Sequence, residues 1–488
     1  MTNLPGRVEG DTEGARMHRK PCTDVVVVVP GIMGSALAVS GTPVWELSGA
    51  ALLRGLRTFG GSLKGLQLPV DLGDGHPGDG VRPIGLMRDL HVLPGLWRPI
   101  DGYSGLLRWL EQSFTLTRYH PAHPEQPANL VPFAYDWRLS NRYNACRLHE
   151  TVEPVLYRWR AAHPSHANAE LVFLCHSMGG LLTRYYLEVL GGAEITRRLL
   201  TMGTPYRGSV QALLNLVNGV RKGIGPLKLD LTALARSLPA LHQLLPGYDC
   251  VESGHCVESG ADLGHHRELT LEGPEPALLA DAAEFHAEIA RAVAGRGGPS
   301  RYRIRAVHGL RQPTPTTVRV EGDRLEPRLS IRGQDEGGDG TVPRLSGRPP
   351  EMDEDDDALR GHSEQHGALQ TNAAVRDVIW EWLTAEQRPP HRGPVAADQV
   401  GVVHPDLLLP GEPFEVEVTA ESDTLLVRTT VSALNSGRQV TRPLRNLGAG
   451  RYRVRLDRLD PGVYRVRTQA ATGALPVTSS LLVWEEAP

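Results

Sequence analysis

The sequence predicts an α/β fold, with a mostly parallel sheet covered by helices, followed by a small all-β domain. The first observation is the run from Val25 to Val29, which is short, apolar and β-branched, as is typical of a strand buried on both faces. The second is the apolar run from Leu171 to Leu174, which precedes a turn at Ser177–Gly180 and then apolar residues at helical spacing from Leu181 to Val189. The third is a change beyond about residue 400 to short segments in which apolar and polar residues alternate.

Further elements follow in chain order. The segments Arg198 to Met202 and Arg303 to Val307 predict two more core strands. Between them, Gln211 to Leu245 carries apolar residues at helical spacing and interrupts the strand pattern, which indicates an inserted cap. Helices are predicted from Pro276 to Ala294 and from Ala373 to Leu383.

The pattern predicts two domains joined by a linker rich in proline. Period-2 strands separated by glycine and proline turns indicate an immunoglobulin-like β-sandwich at the C-terminal end. The predicted organisation is a disordered N-terminal segment (1–23), an α/β domain (24–387) with a cap insert at about 206–300, a linker (388–396) and the sandwich (397–488).

Charge and hydropathy exclude two classes of protein. The chain carries 52 basic and 56 acidic side chains and a formal net charge of −4, which argues against a nucleic-acid partner. The first 23 residues lack the apolar segment and the cleavage site of a secretory signal. The longest purely aliphatic run has five residues, against about 18 needed to span a membrane. We therefore expect a cytoplasmic protein.

The chain has five cysteines. Cys250 and Cys256 are close enough in sequence to form a small loop disulfide, and the alternative is five unlinked thiols. No pair has the Cys-x-x-Cys spacing of a metal site. We predict neither a metal nor a cofactor.

The motif with the clearest chemistry is Cys175-His176-Ser177-Met178-Gly179, which lies between a predicted strand and a predicted helix. In an α/β-hydrolase the nucleophilic serine occupies such a sharp turn, with small residues two positions before and after it. Cys175 replaces the usual leading glycine and is also small. Ser177 is therefore the predicted nucleophile.

A serine nucleophile needs a general base, an orienting carboxylate and donors for the oxyanion. In this fold the acid and then the histidine follow the serine along the chain. Asp339, in a turn flanked by glycines, is the candidate acid, and His362 and His366 follow it. The backbone amides of Met178 and of Ile32, in the glycine-containing loop after the first strand, are the predicted oxyanion donors.

Several ordered motifs together resemble the lecithin:cholesterol acyltransferase family, which includes lysosomal phospholipase A2-like and phospholipid:diacylglycerol acyltransferase-like enzymes. The resemblance covers about residues 24 to 385. The motifs that carry it are an oxyanion loop (Pro30-Gly31-Ile32-Met33-Gly34-Ser35), a Y-D-W-R element (Tyr135 to Arg138), an H-S-M-G elbow (His176 to Gly179), a G-T-P-x-x-G-S segment (Gly203 to Ser209), a strand with a P-T-P turn (His308 to Pro315) and an acid motif (Gly338 to Val342).

The resemblance implies roles for individual residues. Asp339 takes the position of the family's acid. His366 is preferred over His362 because the family's histidine is followed six residues later by an asparagine, here Asn372. Trp45 lies in a stretch that resembles the family's aromatic lid, which implies contact with substrate. The sandwich lies outside the family's shared region, and its protein partner, if it has one, is unknown.

The expected function is hydrolysis or O-acyl transfer of ester-linked acyl groups of a phospholipid or acylglycerol, through an acyl-enzyme on Ser177 at a membrane or micelle surface. The alternatives are an esterase or lactonase for smaller substrates, and a non-catalytic scaffold. We expect Asp136 to form a structural ion pair with Arg138 or another arginine, and the alternative for this element is contact with substrate. Aliphatic residues of the insert either line an acyl tunnel or form the cap's own core: Leu213, Leu214, Leu216, Leu227, Leu231, Leu244 and Leu245.

Overall fold

The structure, a computed structural model, describes residues 19–45, 65–88, 102–224, 227–252, 263–269, 273–384, 399–434, 436–471 and 475–484. Its strands up to residue 362 are β1 (Lys20–Pro21), β2 (Val25–Val29), β3 (Ser35–Val39), β4 (Thr42–Trp45), β5 (Val81–Leu86), β6 (Phe114–Thr115), β7 (Leu130–Pro132), β8 (Leu171–His176), β9 (Thr196–Met202), β10 (Arg221–Ile224), β11 (Leu227–Asp230), β12 (Val251–Glu252), β13 (Leu263–Gly264), β14 (Arg303–Gly309), β15 (Thr317–Glu321), β16 (Arg324–Arg328) and β17 (Leu359–His362). Its helices are α1 (Ser104–Ser113), α2 (Asn141–Ala162), α3 (Met178–Glu188), α4 (Val210–Val217), α5 (Thr232–Ser237), α6 (Pro239–His242), α7 (Pro276–Gly295) and α8 (Ala373–Thr384).

The central sheet has six strands in the order β17-β14-β9-β8-β2-β7, and every neighbouring pair is parallel. β2 lies between β7 and β8, with Val25 opposite Leu171 and Val29 opposite Cys175. Because adjacent parallel strands need a crossover connection, helices lie between most of them in the chain. This architecture confirms the predicted α/β-hydrolase fold class.

Both faces of the sheet are covered, which explains why all five residues of β2 are valine. Val25, Val27 and Val29 belong to the cluster that includes the buried residues of α2 and α3. Val26 and Val28 belong to the cluster on the other face, formed with α1 and α8. Alternate side chains of a strand point to opposite faces, so a strand buried on both faces shows no polar alternation.

The insert lies between β9 and β14, two neighbouring strands of the central sheet. It contains α4 to α7, the β10-β11 hairpin, β12 and β13. Six of the seven aliphatic residues named for this region are buried in the core cluster shared with α2 and α3, which supports packing as their role: Leu213, Leu214, Leu216, Leu231, Leu244 and Leu245. The side chain of Leu227 lies outside the described residues.

The C-terminal strands form two facing sheets, which confirms the predicted β-sandwich. One sheet has the order β18-β20-β24-β23 and the other β19-β26-β25-β21-β22. Their inner side chains form a separate apolar cluster. The strands are β18 (Val400–Val403), β19 (Leu407–Leu408), β20 (Phe414–Ala420), β21 (Val427–Ala433), β22 (Gln439–Pro443), β23 (Arg445–Gly448), β24 (Arg451–Leu456), β25 (Gly462–Ala470) and β26 (Val477–Val483).

Some sequence predictions concern segments outside the described residues. These are the N-terminal residues 1–18, the whole predicted linker (388–396) and Cys256, whereas Cys250 is a buried free thiol. None of the helices within the described ranges combines the length and apolar character needed to cross a bilayer. In the same part of the chain, no group of three or more His, Cys, Asp or Glu side chains is arranged to hold a metal ion.

Candidate active site

Ser177 occupies a strained turn between β8 and α3. Its backbone has φ 52° and ψ −129°, a conformation that L residues rarely adopt and that strand-to-helix nucleophile turns require. Gly179 makes this turn possible, because a Cβ atom there would lie 2.4 Å from the carbonyl oxygen of Pro30. Cys175, two residues before the serine, is buried and its thiol contacts the Thr183 hydroxyl at 3.3 Å. Burial raises the pKa of the Cys175 thiol to about 12, so it remains protonated.

The structure brings Ser177, His366 and Asp339 into one hydrogen-bonded chain. His366 Nε2 lies 2.8 Å from Ser177 Oγ, and His366 Nδ1 lies 2.7 Å from Asp339 Oδ2. Because a carboxylate oxygen only accepts, the hydrogen bond to Asp339 assigns the proton to Nδ1 and leaves the Nε2 lone pair facing the serine hydroxyl. His366, rather than His362, is the histidine in contact with Ser177. All three side chains are fully buried.

The turn that carries Asp339 fixes the direction of its carboxylate. Oδ1 accepts hydrogen bonds from the backbone N–H groups of Thr341, at 2.9 Å, and Val342, at 2.7 Å. The hydroxyl of Thr314, in the P-T-P turn, accepts from the N–H of Gly340 at 2.8 Å. With Oδ1 engaged by its own turn, Oδ2 is directed to the imidazole. The two motifs therefore act together although Thr314 and Gly340 lie 26 positions apart in the sequence.

The loop Pro30–Ser35 approaches Ser177 from the end of β2. A Cβ atom at Gly31 would lie 2.8 Å from Cβ of Ser177, so only glycine fits there without displacing the serine. The next residue, Ile32, is fully buried, and its amide donates no hydrogen bond to another residue in the described ranges. Met178 is the first residue of α3, where an N–H has no partner within the helix. Two backbone amides of this kind, beside Ser177, are suited to donate hydrogen bonds to an oxyanion.

Four aromatic side chains hold this loop in place. Each makes one hydrogen bond with the loop backbone: Tyr103 Oη accepts from Gly31 N–H at 2.9 Å, Tyr135 Oη donates to the Pro30 carbonyl at 2.9 Å, Trp137 Nε1 donates to the Ser35 carbonyl at 3.2 Å, and Trp45 Nε1 donates to the Met33 carbonyl at 3.1 Å. Trp45 is buried and packs edge-on against Trp137, with ring centroids 5.3 Å apart. Its contact with substrate stays a prediction.

The Y-D-W-R element combines two structural tasks. Its aromatic residues bind the loop described above, and its charged residues pair with each other. Arg138 Nη2 lies 2.7 Å from Asp136 Oδ2, which confirms the predicted ion pair, and Arg138 Nη1 lies 2.8 Å from Asp79 Oδ2. Arg138 is fully buried, so these carboxylates satisfy a guanidinium that has no access to water.

His176, next to Ser177 in the chain, links the loop Pro30–Ser35 to His366. Its Nδ1 lies 2.8 Å from Tyr103 Oη, and its Nε2 lies 2.9 Å from the carbonyl oxygen of His366. Burial, together with the nearby imidazole of His366, lowers the pKa of His176 to about 3. The ring is therefore neutral, donates from Nε2 to the carbonyl and accepts at Nδ1 from the tyrosine hydroxyl. Sequence reasoning missed Tyr103, because no motif surrounds it.

Comparisons with known proteins give one family match and several similarities to solved structures. Residues 124–271 match the model of the family described as lecithin:cholesterol acyltransferase, which confirms the predicted resemblance over a range that includes Ser177. The crystal structure of the Tle4-Tli4 complex has a chain 18% identical, covering 76% of this chain and 100% of that one, with a TM-score of 0.47. Bacillus licheniformis lipase BlEst2 in its propeptide form is 9% identical, covering 96% of this chain and 94% of that one, with a TM-score of 0.35. No curated protein sequence matches the chain.

Proposed function

Because residues 124–271 match the lecithin:cholesterol acyltransferase family, we propose that this protein is a serine-dependent acyl hydrolase or O-acyltransferase acting on lipid esters. The observation that carries the proposal is the chain of hydrogen bonds from Ser177 through His366 to Asp339 at a strained strand-to-helix turn. A scaffold that had lost catalysis would not need these three side chains to be hydrogen-bonded to one another in this order. The family match supports a lipid ester over a smaller ester or lactone.

In the proposed reaction, Ser177 Oγ attacks the ester carbonyl while Nε2 of His366 takes the hydroxyl proton. Asp339 stabilises the imidazolium that forms, and the amides of Ile32 and Met178 donate to the oxyanion. The imidazolium then protonates the leaving alcohol, and an acyl-enzyme remains. Water attacking this ester gives hydrolysis, whereas an acceptor alcohol gives transfer, and His366 serves as base in either case.

Labelling with a fluorophosphonate tests the nucleophile. We expect the wild-type chain to be labelled and the Ser177→Ala variant not to be, because the probe traps only an activated serine. Ser165→Ala, at an exposed position, is the control and should label like the wild type. Label that persists in Ser177→Ala, or no label on the wild type, would refute the proposal.

Incubation with a phospholipid vesicle and a long-chain alcohol separates the two reactions. Mass spectrometry would detect a free fatty acid if water is the acceptor and a fatty ester if the alcohol is. We expect both products to disappear in Ser177→Ala. A chain that labels at Ser177 but releases neither product from the phospholipid would restrict the proposal to smaller esters.

A further inference from the structure

The loop that carries His366 lies against the C-terminal sandwich. We call residues 362–366 the histidine loop. Ser363 Oγ donates to the carbonyl oxygen of Val400 at 2.9 Å, and Gln365 Nε2 donates to that of Val402 at 3.3 Å. Both acceptors belong to β18. The residues on either side of Glu364 are therefore bonded directly to a strand of the sandwich.

Glu364 itself is the centre of this contact. Its side chain is only 1% exposed, and three N–H groups among the described residues donate to it. Oε1 accepts from the backbone of Gln365 at 2.9 Å and from that of Thr478, in β26 of the sandwich, at 2.6 Å. Oε2 accepts from Asn372 Nδ2 at 3.0 Å. A buried carboxylate is costly unless such donors surround it, and here they come from both sides of the contact.

The orientation of Asn372 is fixed by a second task. Its Oδ1 accepts the backbone N–H of Ala374 at 2.9 Å, at the start of α8. The amide oxygen is thus occupied at the helix terminus, and the amide nitrogen must face Glu364. The histidine loop is consequently held at one end by α8 and along its length by the sandwich.

Gln312 makes the corresponding contact for the acid. Its side chain donates to the carbonyl oxygen of Val400 and accepts from the N–H of Val402, both at 3.1 Å. Its backbone N–H donates to the carbonyl of Gly338 at 3.1 Å, and it forms a parallel bridge with Asp339. The same strand, β18, is therefore tied to the loops of both Asp339 and His366.

We propose that the C-terminal β-sandwich is a positioning element for the catalytic pair, which it holds through Glu364 on the histidine side and Gln312 on the acid side. The inference rests on the proposed function and assigns the sandwich a part in it. A domain that merely covered the hydrolase would need no buried carboxylate two residues from His366. The hydrogen bond between His366 and Ser177 requires the imidazole within a few tenths of an ångström, so small displacements of the loop lower the rate.

Glu364→Gln changes the contact with almost no change in volume. The introduced amide nitrogen would face the amide nitrogen of Asn372, so two donors would oppose each other. The assay uses a water-soluble ester, and each rate is divided by the concentration of active sites titrated with fluorophosphonate. We expect kcat to fall about tenfold or more, with KM unchanged. The double variant Glu364→Gln/Asn372→Asp restores a donor and an acceptor in reversed order, and we expect it to recover most of kcat.

Thr478→Pro tests the sandwich side. It removes the N–H that Glu364 accepts, while Thr478 is paired with Arg467 of β25 on the opposite edge of its strand. We expect the same loss of kcat at unchanged KM. Glu421→Gln is the matched control, because Glu421 pairs with Arg311 at the exposed edge of the same contact. It should leave kcat unchanged.

A wild-type kcat in both Glu364→Gln and Thr478→Pro, with both variants folded, would overturn the inference. It would also be overturned if Glu364→Gln lost activity, the added Asn372→Asp substitution did not restore it, and Thr478→Pro remained fully active. If Glu364→Gln does not fold, Thr478→Pro and the milder Ser363→Ala serve as the test. A kcat below that of the wild type in these variants supports the inference, and a kcat equal to that of the wild type overturns it. Absent labelling of Ser177 in the wild type is a different result, because it refutes the proposed function itself.

Discussion

Tyr103→Phe removes one oxygen atom that joins the loop Pro30–Ser35 to the turn that carries Ser177. Burial raises the pKa of the Tyr103 phenol well above its ordinary value, so the hydroxyl is protonated. It accepts the N–H of Gly31 at 2.9 Å and donates to Nδ1 of His176 at 2.8 Å. Phenylalanine retains the ring in the same apolar cluster and leaves both of these partners without a hydrogen bond.

The cost follows from the number of groups left unsatisfied. A buried donor or acceptor that loses its partner costs about 1–3 kcal/mol, so the two groups together lower the free energy of unfolding by about 2–6 kcal/mol. Removing an oxyanion donor outright costs about 10²- to 10³-fold in kcat. Tyr103 acts one residue away, through Gly31, so we expect a smaller loss, of about 10- to 100-fold.

Urea unfolding and kcat for a water-soluble ester measure the two effects. Tyr157→Phe is the control, because Tyr157 is 54% exposed and should change neither quantity. Tyr135→Phe removes only a donor to the Pro30 carbonyl and should destabilise less than Tyr103→Phe. A Tyr103→Phe variant that loses less than about 0.5 kcal/mol and keeps wild-type kcat would refute the assigned network, since that change is typical of surface substitutions.

Three further predictions concern the same site. Asp339→Asn should lower kcat about 10⁴-fold with the fold retained, because the amide no longer holds the His366 imidazole in the tautomer with its proton on Nδ1. A tenfold loss of kcat or less, with an unchanged circular dichroism spectrum, would contradict the role of Asp339 as the orienting acid. Gly31→Ala should abolish fluorophosphonate labelling, because the added Cβ would lie 2.8 Å from Cβ of Ser177, and wild-type labelling rates would contradict the close approach. Burial lowers the pKa of His176 to about 3 in the folded protein, against about 6.5 for an ordinary histidine, so between these pH values the unfolded chain binds a proton that the folded chain does not. Stability is therefore complete above pH 6.5 and falls on acidification by up to about 1.4 kcal/mol per pH unit from this residue alone. Urea unfolding at pH 7.5 and 5.5 should show the fall, and His176→Gln should reduce the slope, whereas equal slopes would argue against a buried neutral ring.

The parts of the fold that the sequence predicts are those in which one physical cause dominates. The five valines of β2 are explained by burial on both faces, and the alternation in β20 by burial on one. The insert is less predictable, because its apolar residues join the core of the central sheet and their spacing does not show what they contact. Helical spacing from Gln211 to Leu245 therefore indicated helices and gave no indication of the β10-β11 hairpin.

The contacts that complete the site are absent from the motifs because they are made by residues distant in the chain. Tyr103 lies 73 residues from His176, and Thr478 lies 114 residues from Glu364. A buried histidine or carboxylate requires partners, but its own sequence neighbourhood does not identify them. Tertiary structure supplies these partners, which is why the motif around Ser177 can be located from the sequence and the network of contacts around it cannot.

The spacing that favoured His366 over His362 has a physical cause in the structure. A short 3-10 helix, His366–Thr371, connects the histidine to Asn372, and six residues are the length of that helix. Asn372 then has two tasks, because it accepts hydrogen bonds at the start of α8 and donates one back to Glu364. Moving the asparagine by one residue along the chain would break one of these contacts, since the two partners lie on opposite sides of its amide. The side chain of Asn372 therefore connects the loop of His366, the start of α8 and, through Glu364, the sandwich. The spacing between His366 and Asn372 in the sequence is enough to identify it.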